Sequence, residues 1–369
     1  MSAPPNPIGN FLAGVRVLDL SQYIPGPLGS LMLADMGADV IKIEPPTGDP
    51  MQHLGPRSPQ GTPLFYETLN AGKSVLRLDL KSAQGIDTLH ELVHSADVLI
   101  EGFRPGVMTR LGIDYPALSK PNPRLIYCAI SGYGAGGELT NKAGHDANYL
   151  AEAGVLDRNG GEQPCYFDPP IADEAGSLYA ALAIVGALHG RHTTGVGCHI
   201  DIALADVIMP LQLLPIAAYG ADGTVSGRGE TYLNGGAAYY NVYATSDGHY
   251  IVVGAVEEKF WRTFCMAADR ADWIARQHEP LPQRSLMRDL GRQISQWTLA
   301  DCAQRFADDD CCFSPVLPMD QAMAAARVAE RDLVRTSPDG HLQALFPARI
   351  NGLAPASRAP LRNYVAREL

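Results

Sequence analysis

Residues 15–44 read VRVLDLS (15–21), a Pro/Gly turn (24–27), LGSLMLADMGA (28–38) and DVIKIE (39–44). The first and last segments are rich in β-branched and aliphatic residues, whereas LGSLMLADMGA has the apolar spacing of a helix. A strand, a helix and a second strand in this order predict a βαβ unit. Such a unit sets two parallel strands side by side and packs the helix on one face of the sheet.

The same alternation continues through the first half of the chain. It gives SVLRLDL (74–80), a helical stretch (83–95), DVLIE (97–101), a short helix (107–111) and RLIYCAIS (124–131). Strands that alternate with helices predict an α/β, Rossmann-like domain with a mostly parallel sheet covered on both faces. After Asp173 the apolar run AGSLYAALAIVGALHG (175–190) predicts a helix that is buried on nearly all sides.

The second half of the chain has a different character. A linker-like segment, ADGTVSGRGETYLNGG (221–236), follows a predicted apolar helix over 207–219. The next residues, YYNVYAT and HYIVVGA around Asp247-Gly248, predict a β-hairpin. Further helices are expected over 284–297, 299–308 and 319–329. We therefore expect a large domain over 1–220 with a C-terminal return at 335–369, and a smaller α+β domain over 221–334.

Composition limits the classes of function. The net charge of −11 argues against nucleic acid as a partner, because nucleic-acid binding needs a surplus of Lys and Arg. Seven scattered cysteines, without a Cys-x-x-Cys pair, predict reduced thiols and no metal site. No apolar run approaches the roughly 18 residues of a membrane span, and MSAPPNPIGNF has no leader pattern. We expect no membrane partner and a cytoplasmic location.

Residues 132–137, GYGAGG, fit the G-x-G-x-x-G pattern of dinucleotide-binding proteins and follow a predicted strand. The context differs from that pattern. No amphipathic helix opens after Gly137, and no strand ending in a carboxylate arrives about 20 residues later. A flexible glycine turn beside a ligand is the preferred interpretation.

A series of motifs along the chain resembles family III CoA-transferases, the CaiB/BaiF-like group that includes formyl-CoA transferase, carnitine CoA-transferase and 2-methylacyl-CoA racemase. The motifs are GVRVLDLS (14–21), MGADVIKIEPPTGDP (36–50), LRLDLK (76–81), EGFRPGVMTRLGIDY (101–115), AGHDANYL (143–150), IADEAGSLYAALAIVGAL (171–188), YYNVYATSDGHYIVVGAVEEKFW (239–261) and SPVL (314–317). The resemblance implies an enzyme with a Rossmann-like large domain and a smaller domain, assembled as an interlocked homodimer.

One motif distinguishes the branches of this family. The racemase branch carries Gly-His-Asp-x-Asn-Tyr, here 144–149, followed by an Ala-Asp pair, here 172–173. The resemblance implies that His145 and Asp173 exchange a proton at C2 of a 2-methylacyl-CoA from opposite faces, and that Glu257 faces the histidine from the same or the partner subunit. Backbone N–H groups at the start of the helix after Asp173 are expected to stabilise the enolate oxygen.

The resemblance also implies that coenzyme A enters only as part of the thioester substrate, with no tightly bound cofactor. Its expected contacts are Leu78, Asp79, Leu80, Lys81, Gly102, Phe103, Arg104 and Arg110. Pro45 stands where many relatives have an arginine, and Glu174 where racemases have a smaller or apolar residue. Two alternatives stay open: a CoA-transferase that forms an aspartyl-CoA thioester on Asp173, and a non-catalytic acyl-CoA or nucleotide binding module.

Overall fold

The computed structural model describes residues 6–307 and 309–365. They fall into two compact units. The first contains the described residues of 1–153, 167–211 and 324–369, and the second those of 154–166 and 212–323. The domain boundaries at 220 and 335 stay a prediction, and the end of the predicted return, 366–369, lies outside the described residues, as does Asp308 of the predicted helix over 299–308.

The strands of the described residues, in chain order, are Arg16–Asp19 (β1), Asp39–Glu44 (β2), Ser74–Arg77 (β3), Val98–Glu101 (β4), Ile126–Ser131 (β5), His199–Ala203 (β6), Tyr240–Ala244 (β7), Tyr250–Gly254 (β8), Phe313–Pro315 (β9), Val334–Thr336 (β10), Leu342–Ala344 (β11) and Arg362–Asn363 (β12). The helices are Pro25–Asp35 (α1), Leu64–Asn70 (α2), Ala83–His94 (α3), Val107–Leu111 (α4), Tyr115–Ser119 (α5), Asp146–Glu152 (α6), Val155–Arg158 (α7), Ile171–Thr194 (α8), Leu213–Asp222 (α9), Glu258–Ala267 (α10), Arg284–Ile294 (α11), Leu299–Arg305 (α12), Met319–Ala324 (α13) and Ala326–Arg331 (α14).

The first unit is built on a seven-stranded sheet in the order β12-β3-β2-β1-β4-β5-β6. Each neighbouring pair is parallel. All four residues of β4 are buried, as expected for a strand with helices on both faces of its sheet. The predicted α/β fold with a parallel sheet is confirmed. Since parallel strands end at the same edge, the segments after β1, β4 and β5 meet there.

A cluster of buried charges lies beneath that edge. Lys73 Nζ is 3.2 Å from Asp19 Oδ2, and Lys42 Nζ is 2.8 Å from Asp49 Oδ2. Burial opposes ionisation of Asp19, but Lys73, Lys42 and the hydroxyls of Ser21 and Ser30 outweigh it and lower the pKa of Asp19 to about 2. The carboxylate is therefore charged at neutral pH, and the lysines compensate for the loss of water around it.

The cluster also fixes the loop that follows β1. The backbone N–H of Ser21 donates to Asp19 Oδ1 at 3.0 Å, and Lys42 Nζ donates to the carbonyl of Ser21 at 2.9 Å. At the far end of the loop, Lys73 Nζ donates to the carbonyl of Pro27 at 2.8 Å. The loop from Ser21 to Pro27 is thus anchored at both ends by buried side chains.

Helix α8 departs from three expectations. It begins at Ile171, so Asp173 lies inside its first turn and does not precede it. Leu178 and Leu182 are 56% and 67% exposed, so the prediction of a helix buried on nearly all sides is wrong. The helix is also long and apolar enough, by length and composition alone, to cross a membrane, which corrects the expectation that no run approaches that length. Core helices of globular domains pass the same test, and α8 packs against α1.

The predicted helix over 207–219 is interrupted. The structure has two short 3₁₀ turns, Asp206–Ile208 and Pro210–Gln212, before α9 begins at Leu213. Pro210 lacks a backbone N–H and its ring clashes with the preceding turn, which accounts for the break. The predicted helix over 319–329 is likewise divided into α13 and α14 by Ala325, whose backbone is extended.

The second unit has its own core. Strands β7, β8 and β9 form an antiparallel sheet, and β7 and β8 make the predicted hairpin. The hairpin loop runs from Thr245 to His249, and Gly248 has the positive φ of 80°. The sheet packs against a cluster of fully buried side chains, among them Trp261, Phe264, Trp273, Leu286, Leu290 and Ile294.

The buried Asp19–Lys73 pair predicts a large stability change. Replacing Lys73 by Met leaves the Asp19 carboxylate without its closest cation, so we expect the free energy of unfolding of the first unit to fall by about 3–5 kcal/mol. Lys81→Met, at an exposed lysine, is the matched control and is expected to change it by less than about 0.5 kcal/mol. Urea unfolding at pH 7 measures both. An equal loss of unfolding free energy in the two variants would contradict a stabilising role of the Asp19–Lys73 pair.

Candidate active site

A cavity of about 480 Å³ opens at the carboxyl edge of the parallel sheet in the first unit. It is lined by the loop after β1, the segment after β4, the glycine turn after β5 and the first turns of α6 and α8. Its lining residues are Ser21, Gln22, Tyr23, Pro25, Gly26, Gly102, Phe103, Arg104, Pro105, Ile130, Ser131, Gly132, Thr140, Lys142, Ala143, Gly144, His145, Asn148, Tyr149, Asp173 and Leu204. Five of the predicted site residues are among them.

His145 stands immediately before α6. Its backbone N–H donates to Asn148 Oδ1 at 3.0 Å, and its carbonyl accepts from the N–H of Asn148 at 2.8 Å. Below it, the hydroxyl of the buried Tyr149 donates to the carbonyl of Gly144 at 2.6 Å. A Cβ at residue 144 would lie 2.8 Å from the Tyr149 ring, so glycine is needed for this close approach. These contacts define the backbone around His145, whose side chain is exposed.

Asp146 connects the segment of His145 to the helix of Asp173. Its Oδ1 accepts from the backbone N–H of Ala172 at 2.6 Å and from that of Asp173 at 3.2 Å. A carboxylate that accepts from the first N–H groups of a helix stabilises the helix start. One residue of the Gly-His-Asp motif therefore positions the other half of the site, 27 residues further along the chain.

The environment of Asp173 changes its acidity. Burial raises the pKa of its carboxyl to about 7, with further contributions from the negative charges of Asp146 and Glu174. The dipole of α8 favours the ionised form, but desolvation and two neighbouring carboxylates act in the other direction. Asp173 is consequently able to be protonated or ionised near neutral pH, which is the range needed by a general acid or base.

The backbone N–H groups at the start of α8 are engaged within the protein. Those of Ala172 and Asp173 donate to Asp146, and that of Glu174 donates to the carbonyl of Pro170 at 3.0 Å. The expectation that these groups stabilise an enolate oxygen is therefore wrong. The reason is the Asp146 carboxylate, which satisfies the first two donors.

The predicted coenzyme A contacts divide into two groups. Gly102, Phe103 and Arg104 line the cavity, and the N–H of Phe103 donates to the buried carboxyl of Glu101 at 2.7 Å. The others lie outside the cavity lining: Leu78, Asp79, Leu80 and Lys81 follow β3, and Arg110 lies in α4. Leu78 and Leu80 pack against the core of the sheet, while Lys81 and Arg110 are exposed.

Lys142 is a cavity residue that the sequence analysis missed. Its ammonium pairs with the carboxylate of Glu152 and lies 5.8 Å from the centre of the Tyr133 ring. Lys142 and Arg104 are the two cations among the described cavity residues. A lysine three positions before His145 was visible in the sequence, but nothing in its spacing indicated that it faces the same cavity.

The G-x-G-x-x-G segment forms the turn after β5. The N–H of Gly134 donates to Ser131 Oγ at 3.0 Å, and the N–H of Ala135 donates to Asp201 Oδ2 at 2.8 Å. The next helix, α6, does not begin until Asp146. This geometry agrees with a glycine turn at the edge of the cavity and differs from a dinucleotide-binding helix start.

Glu257 belongs to the second unit, where it is exposed and immediately precedes α10. Its pairing with His145 stays a prediction. Pro45 and Glu174 are outside the cavity lining. Pro45 follows β2, and burial raises the pKa of the Glu174 carboxyl, with smaller contributions from Asp146 and Asp168.

Comparison with known proteins identifies the family. Residues 12–363 match the model of CoA-transferase family III. The chain is 34% identical over 330 residues to the alpha-methylacyl-CoA racemase of Homo sapiens, covering 88% of this chain and 83% of that protein. It is 32% identical over 300 residues to the succinyl-CoA:mesaconate CoA-transferase of Haloarcula hispanica, covering 78% and 74%.

A solved structure gives the same result for the fold. The crystal structure of a CAIB/BAIF family protein from Brucella suis matches with a TM-score of 0.83 and 28% identity, over 95% of this chain and 96% of that one. The resemblance found in the sequence motifs is confirmed. With a family model that matches nearly its whole length, this chain belongs to CoA-transferase family III and is an enzyme of the transferase and racemase kind that acts on CoA-linked substrates.

Proposed function

We propose that this enzyme interconverts the two configurations at C2 of a 2-methyl-branched acyl-CoA. The observation that carries the proposal is the presence of His145 and Asp173 in one cavity, joined through Asp146. A carboxyl whose pKa is about 7 is able to give or take a proton at neutral pH, and histidine is the side chain most often used as a general acid or base. The similarity to the human alpha-methylacyl-CoA racemase supports the same assignment.

The proposed reaction has two proton transfers. One group removes the C2 proton from one face of the thioester, which gives an enolate, and the other group returns a proton to the opposite face. For one enantiomer His145 is the base and protonated Asp173 is the acid; for the other enantiomer the roles are exchanged. After each turnover the protein holds the same number of protons, so no co-reactant is consumed.

Several further features belong to the proposal. Arg104 and Lys142 would bind the phosphates of coenzyme A through charge-assisted hydrogen bonds, with Gly102 and Phe103 beside them and Leu78, Asp79, Leu80, Lys81 and Arg110 along the sheet edge. Glu257 would hold the tautomer of His145. The proposal also includes assembly as a homodimer and a cytoplasmic location. Coenzyme A is part of the substrate in this scheme.

A second candidate is CoA transfer to a carboxylic acid. The similarity to succinyl-CoA:mesaconate CoA-transferase favours it, since the two chains align over 300 residues. The Asp173 carboxylate would attack the thioester carbonyl and release CoA thiolate, and the thiolate would then attack the resulting anhydride to give an aspartyl-CoA thioester and the free acid. Only the ionised carboxylate is a nucleophile. A third candidate, a non-catalytic acyl-CoA binding module, would bind the thioester without converting it.

The first prediction concerns hydrogen exchange. In D₂O, without an acceptor acid, the enzyme is expected to exchange the C2 proton of both enantiomers of a 2-methylacyl-CoA and to racemise them. His145→Ala and Asp173→Asn should each reduce racemisation about 10²–10⁴-fold, the usual contribution of one acid–base group. Each variant should keep slow exchange with retention for the one enantiomer that faces the remaining base. NMR of the C2 position and chiral analysis of the acid measure both quantities.

Two results would contradict this prediction. No exchange with either enantiomer, followed by CoA transfer once carboxylic acids are added, would assign the transferase reaction, and hydroxylamine should then trap an acyl adduct on Asp173. Tight thioester binding without exchange or transfer would assign the binding module. Lys120→Met, at an exposed lysine outside the cavity lining, is the control variant for the exchange rates.

The second prediction concerns pH. Racemisation needs one proton shared by His145 and Asp173, so kcat/KM should fall on both the acid and the alkaline side of a maximum near neutrality. Both enantiomers should give the same profile, because they use the two tautomers of one protonation state. Nucleophilic attack needs only ionised Asp173, whose pKa is about 7, so a transferase rate would rise through that pH and stay high. Initial rates from pH 5 to 10 distinguish the two profiles.

A further inference from the structure

Tyr23 has a strained backbone at the edge of the cavity. Its φ is 63°, in the left-handed region that bulky side chains rarely adopt. The residue lines the same cavity as His145 and Asp173, and it is 46% exposed. Among the described residues, the phenol makes no hydrogen bond and the ring makes no ring contact. No hydrogen bond or ring contact within the described part of the chain therefore explains why a tyrosine occupies this position.

The surrounding structure holds the loop in this conformation. Asp19 and Lys42 bind the backbone of Ser21, and Lys73 binds the carbonyl of Pro27. These partners are buried at the centre of the first unit, so the strain at Tyr23 is maintained by groups that themselves do not reach the cavity. Residues whose strained backbone is held in place by the surrounding structure are concentrated at functional sites.

The loop is also joined to the helix of Asp173. The hydroxyl of Ser177 lies 2.8 Å from the carbonyl oxygen of Pro25 and 2.9 Å from that of Asp173. A Cβ at Gly29 would lie 3.3 Å from the carbonyl oxygen of Ser177, which shows how closely α1 approaches α8. The position of Tyr23 is thus fixed relative to the turn that carries the reactive carboxyl.

From these contacts we infer that Tyr23 is a specificity-determining residue whose ring contacts the acyl group of the thioester. The inference rests on the proposed reaction of Asp173 with the acyl group, either as a proton donor at C2 or as a nucleophile at the thioester carbonyl. Arg104 and Lys142 are the cations of the cavity and suit the phosphates of coenzyme A. A neutral aromatic ring, fixed beside the helix of Asp173, suits the apolar chain attached to C2.

The experiment separates the effect of the Tyr23 ring on binding from the effect of its strained backbone. Tyr23→Gly removes the ring and relieves the strain, Tyr23→Ala removes the ring and keeps the strain, and Tyr23→Phe keeps both. Asn351→Gly is the matched control, because Asn351 also has a positive φ, 51°, and does not line the cavity. Dissociation constants for 2-methyldecanoyl-CoA and for free CoA are measured by calorimetry, together with the thermal midpoint of each variant.

If the ring binds the acyl group, Tyr23→Gly and Tyr23→Ala should weaken 2-methyldecanoyl-CoA binding by the same factor, at least about tenfold, a typical loss for a buried aromatic contact. Free CoA should bind to all variants within about twofold, and Tyr23→Phe and Asn351→Gly should behave as the parent. The thermal midpoint of Tyr23→Gly should be no lower than that of Tyr23→Ala, because glycine adopts the left-handed region without strain.

Three outcomes would overturn the inference. Unchanged thioester affinity in both Gly and Ala variants would mean that the ring makes no contact with the acyl group. Weaker binding in the Ala variant alone would mean that the loop conformation matters and the ring does not. Equal loss of thioester and free CoA would place the ring on the coenzyme. Because the titrations are made in an Asp173→Asn background, in which racemisation is slow and no aspartyl adduct can form, the result is independent of whether the enzyme proves to be a racemase or a transferase.

Discussion

The buried carboxylate of Asp19 organises the first unit. It ends the central strand β1, is ionised because its pKa is about 2, and is compensated by Lys73 together with Lys42. Uncompensated charge at such a depth would be strongly destabilising, so β1, β2 and the segment before β3 have to meet in one arrangement. The same ammonium groups hold the loop from Ser21 to Pro27, which forms one wall of the cavity. Stability of the sheet and shape of the site therefore depend on the same few atoms.

A second carboxylate, Asp146, connects the segment of His145 to the helix of Asp173. It stabilises the start of α8 through two N–H groups, and its charge, after burial, helps to raise the pKa of Asp173. Both effects come from the position of the Asp146 side chain. Asp146 stabilises the first turn of α8, and this turn carries Asp173. The negative charge of Asp146 therefore disfavours ionisation of the Asp173 carboxyl at the same place where its hydrogen bonds stabilise the helix. A helix dipole alone would have had the opposite effect on Asp173.

Periodicity and motif spacing predicted the parallel sheet, the hairpin and the family, because strands, helices and turns depend on residues that are close together in the sequence. The same reasoning placed Asp173 before α8, whereas the structure includes it in the first turn, since the deciding hydrogen bonds come from Asp146, 26 and 27 residues earlier. Lys142 and the strained Tyr23 were missed for a related reason. Their importance comes from which cavity they face and from a backbone angle, and neither has a periodic pattern in the sequence.

One cavity is compatible with both proposed reactions because each of them would use Asp173, and they differ in the protonation state of its carboxyl that they need. Proton transfer benefits from a carboxyl whose pKa lies near the working pH, since both forms are then available. Nucleophilic attack uses only the ionised form, so raising the pKa to about 7 removes part of the reactive population at neutral pH. Burial beside Asp146 and Glu174 therefore suits a group that exchanges protons with C2 better than one that forms a covalent bond with the carbonyl. In the proposed racemisation, the exposed imidazole of His145 on the same cavity would be the second group that such an exchange requires.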